Sequence, residues 1–183
     1  MGYFKDKDTT DNSKNAVERL SEICLDELMF SSDAYICMMT MNLQGYKRLH
    51  RYISKKLYSL YLDIQKDAIE DFGEPVNSES QYSRYYTDDI KTHLIEWNEK
   101  IENHLKEIGY IIKTIFEENG YIYCTAQKIQ KILYKNLIKN ERALKKFRDC
   151  EYSYEIIYNH DKYIHDKIKA KEKEYKDTDY ESH

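Results

Sequence analysis

The sequence predicts an all-α protein, a helical bundle of about five to six helices. Only 5 glycines and 1 proline occur among 183 residues, too few for the many turns that a sheet protein needs. Apolar residues instead recur every three to four positions over long stretches, the spacing of amphipathic helices. A chain of this length buries about 70% of its unfolded surface, so a substantial hydrophobic core is expected.

The N-terminal part predicts two helices joined by a reversal of the chain. Residues 1–14 are polar and charged and are expected to be disordered, whereas an apolar stripe at helical spacing begins at Asn15. Ser31, Ser32 and Asp33 then supply three side chains that commonly cap helix N-termini. We therefore expect the first helix to end there and a second to start in the opposite direction.

A long helix is expected next. Gly45 can adopt the left-handed backbone conformation that closes the preceding helix. Apolar residues then step by three and four positions from Leu49 to Phe72, and Gly73 with Pro75 ends the pattern.

The remaining sequence predicts three more helices. Thr87 and the two aspartates after it form a strong helix start, and the stripe that follows runs from residue 90 to residue 115. Another helix is expected from Tyr121 to Phe147, and Asn140 marks a position where it can break. A last helix runs from Tyr154 to about residue 173, with a frayed end.

Cysteine and tyrosine repeat in the same order in the two halves of the chain. The repeated residues are Cys24, Tyr35 and Cys37, then Cys124, Tyr134 and Cys150. This order predicts two related helical modules joined by a long central helix. The predicted segments are a disordered 1–14, a first cysteine–tyrosine–cysteine module 15–80, the central helix 81–119, a second module 120–176 and a tail 177–183.

Spacing alone leaves the state of the cysteines open. On one straight helix, Cys24 and Cys37 would be about 20 Å apart, whereas a disulfide requires Cα atoms within about 7 Å. A reversal at residues 31–33 would bring them together. Pairing of Cys124 with Cys150 needs a reversal near Leu137, where the helical pattern shows no stop. Pairing within each half, pairing across halves and free thiols all remain possible outcomes.

Charge, hydropathy and motifs exclude several functions. The net charge is −4 with acidic and basic residues interleaved, which argues against a nucleic-acid partner. No apolar run approaches the ~20 residues that span a bilayer. We find no motif for catalysis, a cofactor or a metal, and predict none of the three. The chain is either cytosolic or a mature form whose signal peptide was removed, and the even cysteine count favours secretion.

The paired motifs resemble the bicycle proteins of aphids, which are named for two cysteine–tyrosine–cysteine motifs. The resemblance implies a tyrosine-rich, secreted effector of insect saliva that is stabilised by disulfides and binds a host protein. It also implies that all four motif cysteines are bridged and that Tyr35 and Tyr134 are motif residues. It implies no enzymatic activity and leaves the oligomeric state open.

A second resemblance concerns the long helices. The segment 42–49, leading to Phe72 and Gly73, resembles the second helix of ferritin-like proteins. That family forms four-helix bundles and stores iron behind a di-iron centre built from Glu-x-x-His motifs or an equivalent set of inward carboxylates. Here no histidine follows an acid by three residues, and Leu57 and Leu60 stand at the ligand positions of the second helix. The resemblance therefore implies iron storage or a structural subunit with a degenerate metal site.

Few side chains could form such a degenerate site. Two pairs of acids share a helix face, Asp63 with Asp67 and Glu99 with Glu102, and we expect them to be solvated acids balanced by lysines. His104 is expected to be a satisfied residue at the boundary of the core. Trp97, on the same stripe, is expected to belong to the core.

Overall fold

The computed structural model describes residues 7–40, 42–80, 90–115, 120–149 and 154–180, and within these ranges it contains five α-helices and no strand. The helices are α1 (Lys7–Thr40), α2 (Gln44–Phe72), α3 (Ile90–Ile115), α4 (Gly120–Asp149) and α5 (Tyr154–Tyr180). The predicted all-α bundle is confirmed. None of the described helices combines the length and the hydropathy that a membrane crossing requires.

The first four helices pack as two pairs, and α5 packs against one of these pairs. α1 lies along α2, α3 lies along α4, and α1 also packs on α3, while α5 packs mainly on α2. α1 and α2, which lie mostly in the first predicted module, pack along each other, whereas α4 and α5 contact each other little. The largest fully buried side chains come from four helices and the α1–α2 turn: Leu20, Ile23, Met38, Leu43, Tyr46, Leu57, Leu94, Trp97, Ile101, Ile108, Ile122 and Ile129.

The reversal expected at residues 31–33 is wrong, because α1 continues through them to Thr40. The capping side chains make other bonds. Ser31 Oγ donates to the carbonyl oxygen of His50 on α2 at 2.9 Å, and Ser32 Oγ donates to the Leu28 carbonyl one turn earlier at 2.8 Å. A hydroxyl that bonds to the carbonyl four residues earlier leaves the helix intact.

The turn between α1 and α2 uses Asn42 where glycine was expected. Asn42 has a positive φ of 57°, and its amide donates to the Met39 carbonyl while the Leu43 amide donates to the Met38 carbonyl. These two bonds form a Schellman closure with asparagine in the left-handed position. Gly45 lies instead in the first turn of α2.

Other boundaries were predicted with mixed success. Gly73 ends α2 with a φ of 79°, as expected. α1 already begins at Lys7, so residues 7–14 are helical, and α4 passes Asn140 without a break. α5 continues to Tyr180, beyond the expected end. The predicted start at Thr87 lies outside the described residues.

The connection after α2 is fixed to the bundle by its own side chains. Val76 is buried, and Ser78 Oγ accepts a bond from Ser21 of α1 at 3.1 Å and from Gln65 of α2 at 3.3 Å. Ser80 donates to Asp26 of α1 at 2.7 Å. The segment 73–80 is therefore attached to α1 and α2 through Val76 and two serines, while its other residues are exposed.

Candidate functional site

The cysteines do not form the predicted bridge within the first half. Cys24 and Cys37 are both buried on α1, and each is a thiol and not half of a disulfide. Because α1 does not reverse between them, thirteen residues hold them about 20 Å apart. The predicted Cys24–Cys37 disulfide is therefore wrong. Cys124 on α4 is an exposed free thiol, and its predicted partner Cys150 lies outside the described residues.

The two motif tyrosines lie in different environments. Tyr35 is half-buried on α1, and Lys47 Nζ lies 5.5 Å from the centre of its ring. Tyr134 on α4 is 51% exposed. The tyrosines of the two halves therefore do not play equivalent structural roles.

The acid pairs that could have formed a degenerate metal site do not face the interior. Asp63, Glu99 and Glu102 are exposed, and Asp67 is half-buried. Asp67 accepts a hydrogen bond from the Tyr121 hydroxyl, and burial with neighbouring acids raises its pKa. These acids are surface groups, as expected.

The structure reveals a buried acid on α1 that the sequence analysis did not single out. Glu27 is fully buried, and its Oε2 accepts a hydrogen bond from Trp97 Nε1 of α3 at 2.7 Å. Its Oε1 lies 2.8 Å from His104 Nδ1, also on α3. A carboxylate offers only acceptors, so this ring nitrogen carries the hydrogen and donates. Both oxygens of Glu27 are thus engaged by α3.

A second acid approaches the other side of the same imidazole. Asp26 is buried, and its Oδ2 lies 3.7 Å from His104 Nε2. Its Oδ1 accepts the bond from Ser80. We call these five residues, Asp26, Glu27, Ser80, Trp97 and His104, the Glu27 cluster. His104 is 1% exposed, so the expectation of a boundary residue is wrong.

Opposite charges set the protonation of the Glu27 cluster. Burial lowers the pKa of His104, but the nearby Asp26 carboxylate and the hydrogen bond with Glu27 outweigh burial and raise it above the ordinary value. Burial raises the pKa of Asp26, but the nearby His104 imidazole and the hydrogen bond from Ser80 outweigh burial and lower that pKa overall. For Glu27, burial dominates and raises the pKa. The cluster therefore favours an imidazolium between two acids.

Trp97 also joins a second cluster, in which histidines are held neutral. Its ring stacks on Phe30 with centroids 6.3 Å apart, and His50 and His93 lie 5.4 and 6.2 Å from it. We call Phe30, His50, His93 and Trp97 the aromatic–histidine cluster. Trp97 is fully buried, which confirms its predicted place in the core.

Burial governs the two histidines of this cluster. It lowers the pKa of His50 to about 3, with further lowering by His93 and Lys139. His50 Nδ1 is buried without a hydrogen-bond partner. Burial also lowers the pKa of His93, whose Nε2 lies 3.0 Å from the Phe30 carbonyl oxygen. Both imidazoles are therefore neutral near pH 7.

These residues do not fit a di-iron centre. Such a centre needs several inward carboxylates or Glu-x-x-His sets on facing helices. In the part of the chain that the structure describes, no group of three or more His, Cys, Asp or Glu side chains is arranged to hold a metal ion. Leu57 of α2 is fully buried and Leu60 is half-buried, so α2 supplies apolar groups at the positions singled out from the sequence.

Comparison with known proteins gives a fold and no family. The sequence matches no family model, and no curated protein is detectably similar to it. The structure is similar to an open-pore ferritin from the hyperthermophilic archaeon Archaeoglobus fulgidus, with a TM-score of 0.64, 14% identity and coverage of 87% of this chain and 97% of that chain. The structure is also similar to a humanized archaeal ferritin, with a TM-score of 0.65, 11% identity and coverage of 88% of this chain and 96% of that chain.

The comparisons establish a ferritin-like helical fold, in agreement with the second resemblance. Sequence identities of 11–14% support a similarity of fold and no conclusion about function. Nothing in them supports the resemblance to aphid bicycle proteins. Secretion and a host partner stay predictions.

The buried acid could have been found from the sequence. Glu27 falls on the apolar stripe of α1, three residues after Cys24 and three before Phe30. His93 and His104 likewise fall beside apolar positions of α3 that face the core. A polar residue at a core position of one helix predicts a polar partner on another, because buried polar groups are usually hydrogen-bonded.

Proposed function

We propose that this chain is a structural subunit of ferritin-like fold that acts through its surfaces and does not oxidise iron inside the bundle. The observation that carries the proposal is the saturation of Glu27, whose two oxygens accept hydrogen bonds from Trp97 and His104. Metal ligation by Glu27 would require breaking both bonds inside a closed core. Such a step leaves buried donors unpaired, which costs about 1–3 kcal/mol each.

The surface of α2 supports a role in assembly. Tyr58, Leu62 and Ile69 are 51%, 47% and 50% exposed. Their spacing of four and seven residues places them on one face of the helix. An exposed apolar face of this kind marks a contact with another protein. A second copy of this chain would cover the face by symmetric packing, the commonest arrangement of homo-oligomers.

Light scattering coupled to gel filtration tests the assembly. We expect the wild-type chain to associate and the variant Leu62→Asp to shift to the monomer, because a charge would be buried in the contact. Ile95→Asp is the matched control, since Ile95 on α3 is 49% exposed. An unchanged mass for Leu62→Asp, or an equal effect of both variants, contradicts assembly through this face.

Iron titration tests the interior. Ferrous iron is added in air, and the formation of ferric iron is followed by absorbance. We expect no saturable phase of oxidation beyond that of buffer. A fast phase that saturates at a fixed number of irons per chain contradicts the proposal, whatever the state of assembly.

A further inference from the structure

The charge of the chain is distributed unevenly among its helices. Between residues 120 and 149, the range of α4, eight side chains are basic and only Glu141 and Asp149 are acidic, although the whole chain carries −4. The whole-chain charge therefore conceals a strongly basic helix.

Four lysines of α4 line one groove. Lys128, Lys131, Lys135 and Lys139 follow one another at spacings of three and four residues, so they share a face of the helix. Lys56 of α2 faces them across a groove of about 440 Å³. We call this the basic groove. Its other described lining residues are apolar or uncharged: Tyr52, Ile53, Ser59, Leu60, Ile132 and Asn136.

The groove continues into a pocket under α5. Tyr52 and Lys139 line both spaces. The pocket has a volume of about 240 Å³, and we call it the tyrosine pocket. Its other lining residues come from α2, α4 and α5: Tyr46, Leu49, Arg142, His160, Tyr163, Ile164, Lys167 and Ile168. None of the described residues that line either space is acidic.

One acid of α5, Asp161, is bonded to the start of α2. Asp161 is buried, and its Oδ1 accepts a hydrogen bond from the Tyr46 amide in the first turn of α2 at 2.8 Å. α5 can come this close because residue 45 is glycine: a Cβ there would overlap the carbonyl oxygen of Asp161. The carboxylate therefore serves the positive end of α2, although its negative charge also acts on His160.

The surroundings of His160 agree with a positive pocket. Burial lowers the pKa of His160, and the positive charges of Lys146 and Arg142 lower it further against the opposing effect of Asp161. His160 Nδ1 lies 2.6 Å from the Tyr46 hydroxyl. The imidazole is thus neutral near pH 7 and presents a flat ring.

Flat rings line the end of the groove. Tyr163 is 59% exposed and stacks on His160 with centroids 6.3 Å apart and an angle of 21° between the rings. Tyr52 and the buried Tyr46, both on α2, also line the pocket, and Lys56 Nζ lies 4.6 Å from the centre of the Tyr52 ring. An exposed tyrosine ring can stack on the planar ring of a ligand. The cations beside it would attract a negatively charged group on the same ligand.

We propose that the basic groove and the tyrosine pocket together bind single-stranded nucleic acid, with the phosphates along Lys128, Lys131 and Lys135 and one base in the tyrosine pocket. The row from Lys128 to Arg142 extends about 21 Å along α4. One small anion neutralises only part of such a row, whereas a strand offers phosphates at regular intervals. A duplex keeps its bases stacked inside and cannot offer one to the pocket.

Fluorescence anisotropy with a labelled 12-nucleotide oligouridylate tests the proposal on the full chain. We expect saturable binding at 50 mM salt that weakens as salt rises, because phosphate contacts release counterions. The variant Lys131→Gln with Lys135→Gln should reduce the slope of log affinity against log salt by about 1.4, since each lost contact removes about 0.7.

A double variant on α3 separates local contacts from net charge. Lys106→Gln with Lys113→Gln changes the net charge equally, and both lysines are exposed away from the groove. We expect this variant to bind with the wild-type slope. An equal loss in both double variants, or no binding by the wild type at 50 mM salt, overturns the proposal.

A second pair of variants tests the base. Tyr163→Leu should weaken binding about tenfold, as loss of one stacked base does. Tyr110→Leu, on α3 and 69% exposed, should have no effect. If Tyr163→Leu binds like the wild type and inorganic polyphosphate competes as well as the oligonucleotide, the surface is a general polyanion site. Stronger binding to anionic lipid vesicles than to the oligonucleotide likewise overturns the proposal. Circular dichroism verifies that each variant is folded.

Discussion

The Glu27 cluster and the basic groove differ in how their charged side chains are arranged. In the Glu27 cluster, acids on α1 face donors on α3, and each charge has its partner within the chain. In the basic groove, lysines of α2 and α4 face one another with no acid among the described lining residues. A charge that is satisfied internally holds helices together. A set of like charges on one face attracts ligands of opposite sign.

The largest effect is expected from breaking the Glu27 cluster. Glu27→Ala removes the acceptor from Trp97 Nε1 and His104 Nδ1, which leaves two buried N–H donors without a hydrogen-bond acceptor. Removal of one member of a buried charged pair costs about 3–5 kcal/mol. Urea unfolding at pH 7 measures the loss.

The matched control is Glu99→Ala, since Glu99 is exposed on α3. An exposed site of this kind changes stability by less than about 0.5 kcal/mol. If both variants lose the same free energy of unfolding, Glu27 does not hold α1 to α3.

The next effect concerns the attachment of α5, which forms one wall of the tyrosine pocket. In Gly45→Ala the new Cβ would overlap the Asp161 carbonyl and lie 2.9 Å from the His165 backbone nitrogen, so α5 must move. Overpacking of this kind costs about 1–3 kcal/mol. Hydrogen exchange of the Tyr46 amide, which donates to Asp161, should become faster.

Gly109→Ala is the control, and its effect should have the opposite sign. Nothing lies within 4 Å of a Cβ at Gly109 in α3. Alanine is favoured over glycine inside a helix by about 1 kcal/mol. Destabilisation by Gly109→Ala, or stabilisation by Gly45→Ala, would contradict the packing described for these two sites.

The third prediction concerns acid pH and the aromatic–histidine cluster. His50 keeps a pKa of about 3 in the fold, against 6.5 as its ordinary value. Between these values the unfolded chain binds a proton that the folded chain does not. The free energy of unfolding is therefore unaffected by His50 above pH 6.5. Below that pH it falls by up to about 1.4 kcal/mol per pH unit.

His50→Leu tests the assignment, because leucine fills a similar space without titrating. Urea unfolding between pH 7 and pH 5 should show a smaller loss of stability for this variant than for the wild type. Equal losses would mean that other groups cause the acid sensitivity.

The smallest effect is expected on the alkaline side of the Glu27 cluster. The pKa of His104 is raised in the fold. The charged imidazole therefore adds to the free energy of unfolding below its ordinary pKa, and this contribution is lost as pH rises through the pKa that His104 has in the folded chain. Histidine signals in NMR should show His104 titrating above its ordinary range, while His50 stays neutral from pH 8 to pH 5. If the two histidines titrate together, the distinction between the clusters is wrong.

The sequence predicted the elements whose local signals agree with their surroundings. The stripe of α3 and the glycine end of α2 were both predicted, because apolar spacing and a left-handed glycine act locally. The break at residues 31–33 was predicted wrongly, since Ser31 bonds to His50 on another helix. No local pattern contains that partner.

The candidate sites were less predictable than the helices. The net charge of −4 averages over all the helices, and it hid the basic row on α4. Glu27 accepts hydrogen bonds from both Trp97 and His104 only because α1 and α3 face each other in one particular way. The spacing of residues within either helix does not determine that arrangement.

The chain contains a single tryptophan, and it lies where the two buried clusters meet. Its indole is bonded to a carboxylate on one side and flanked by two imidazoles on the other. Because the indole is fully buried, we expect the intrinsic emission of the protein to report on the interior. Changes in its intensity during a titration follow the core without any attached dye.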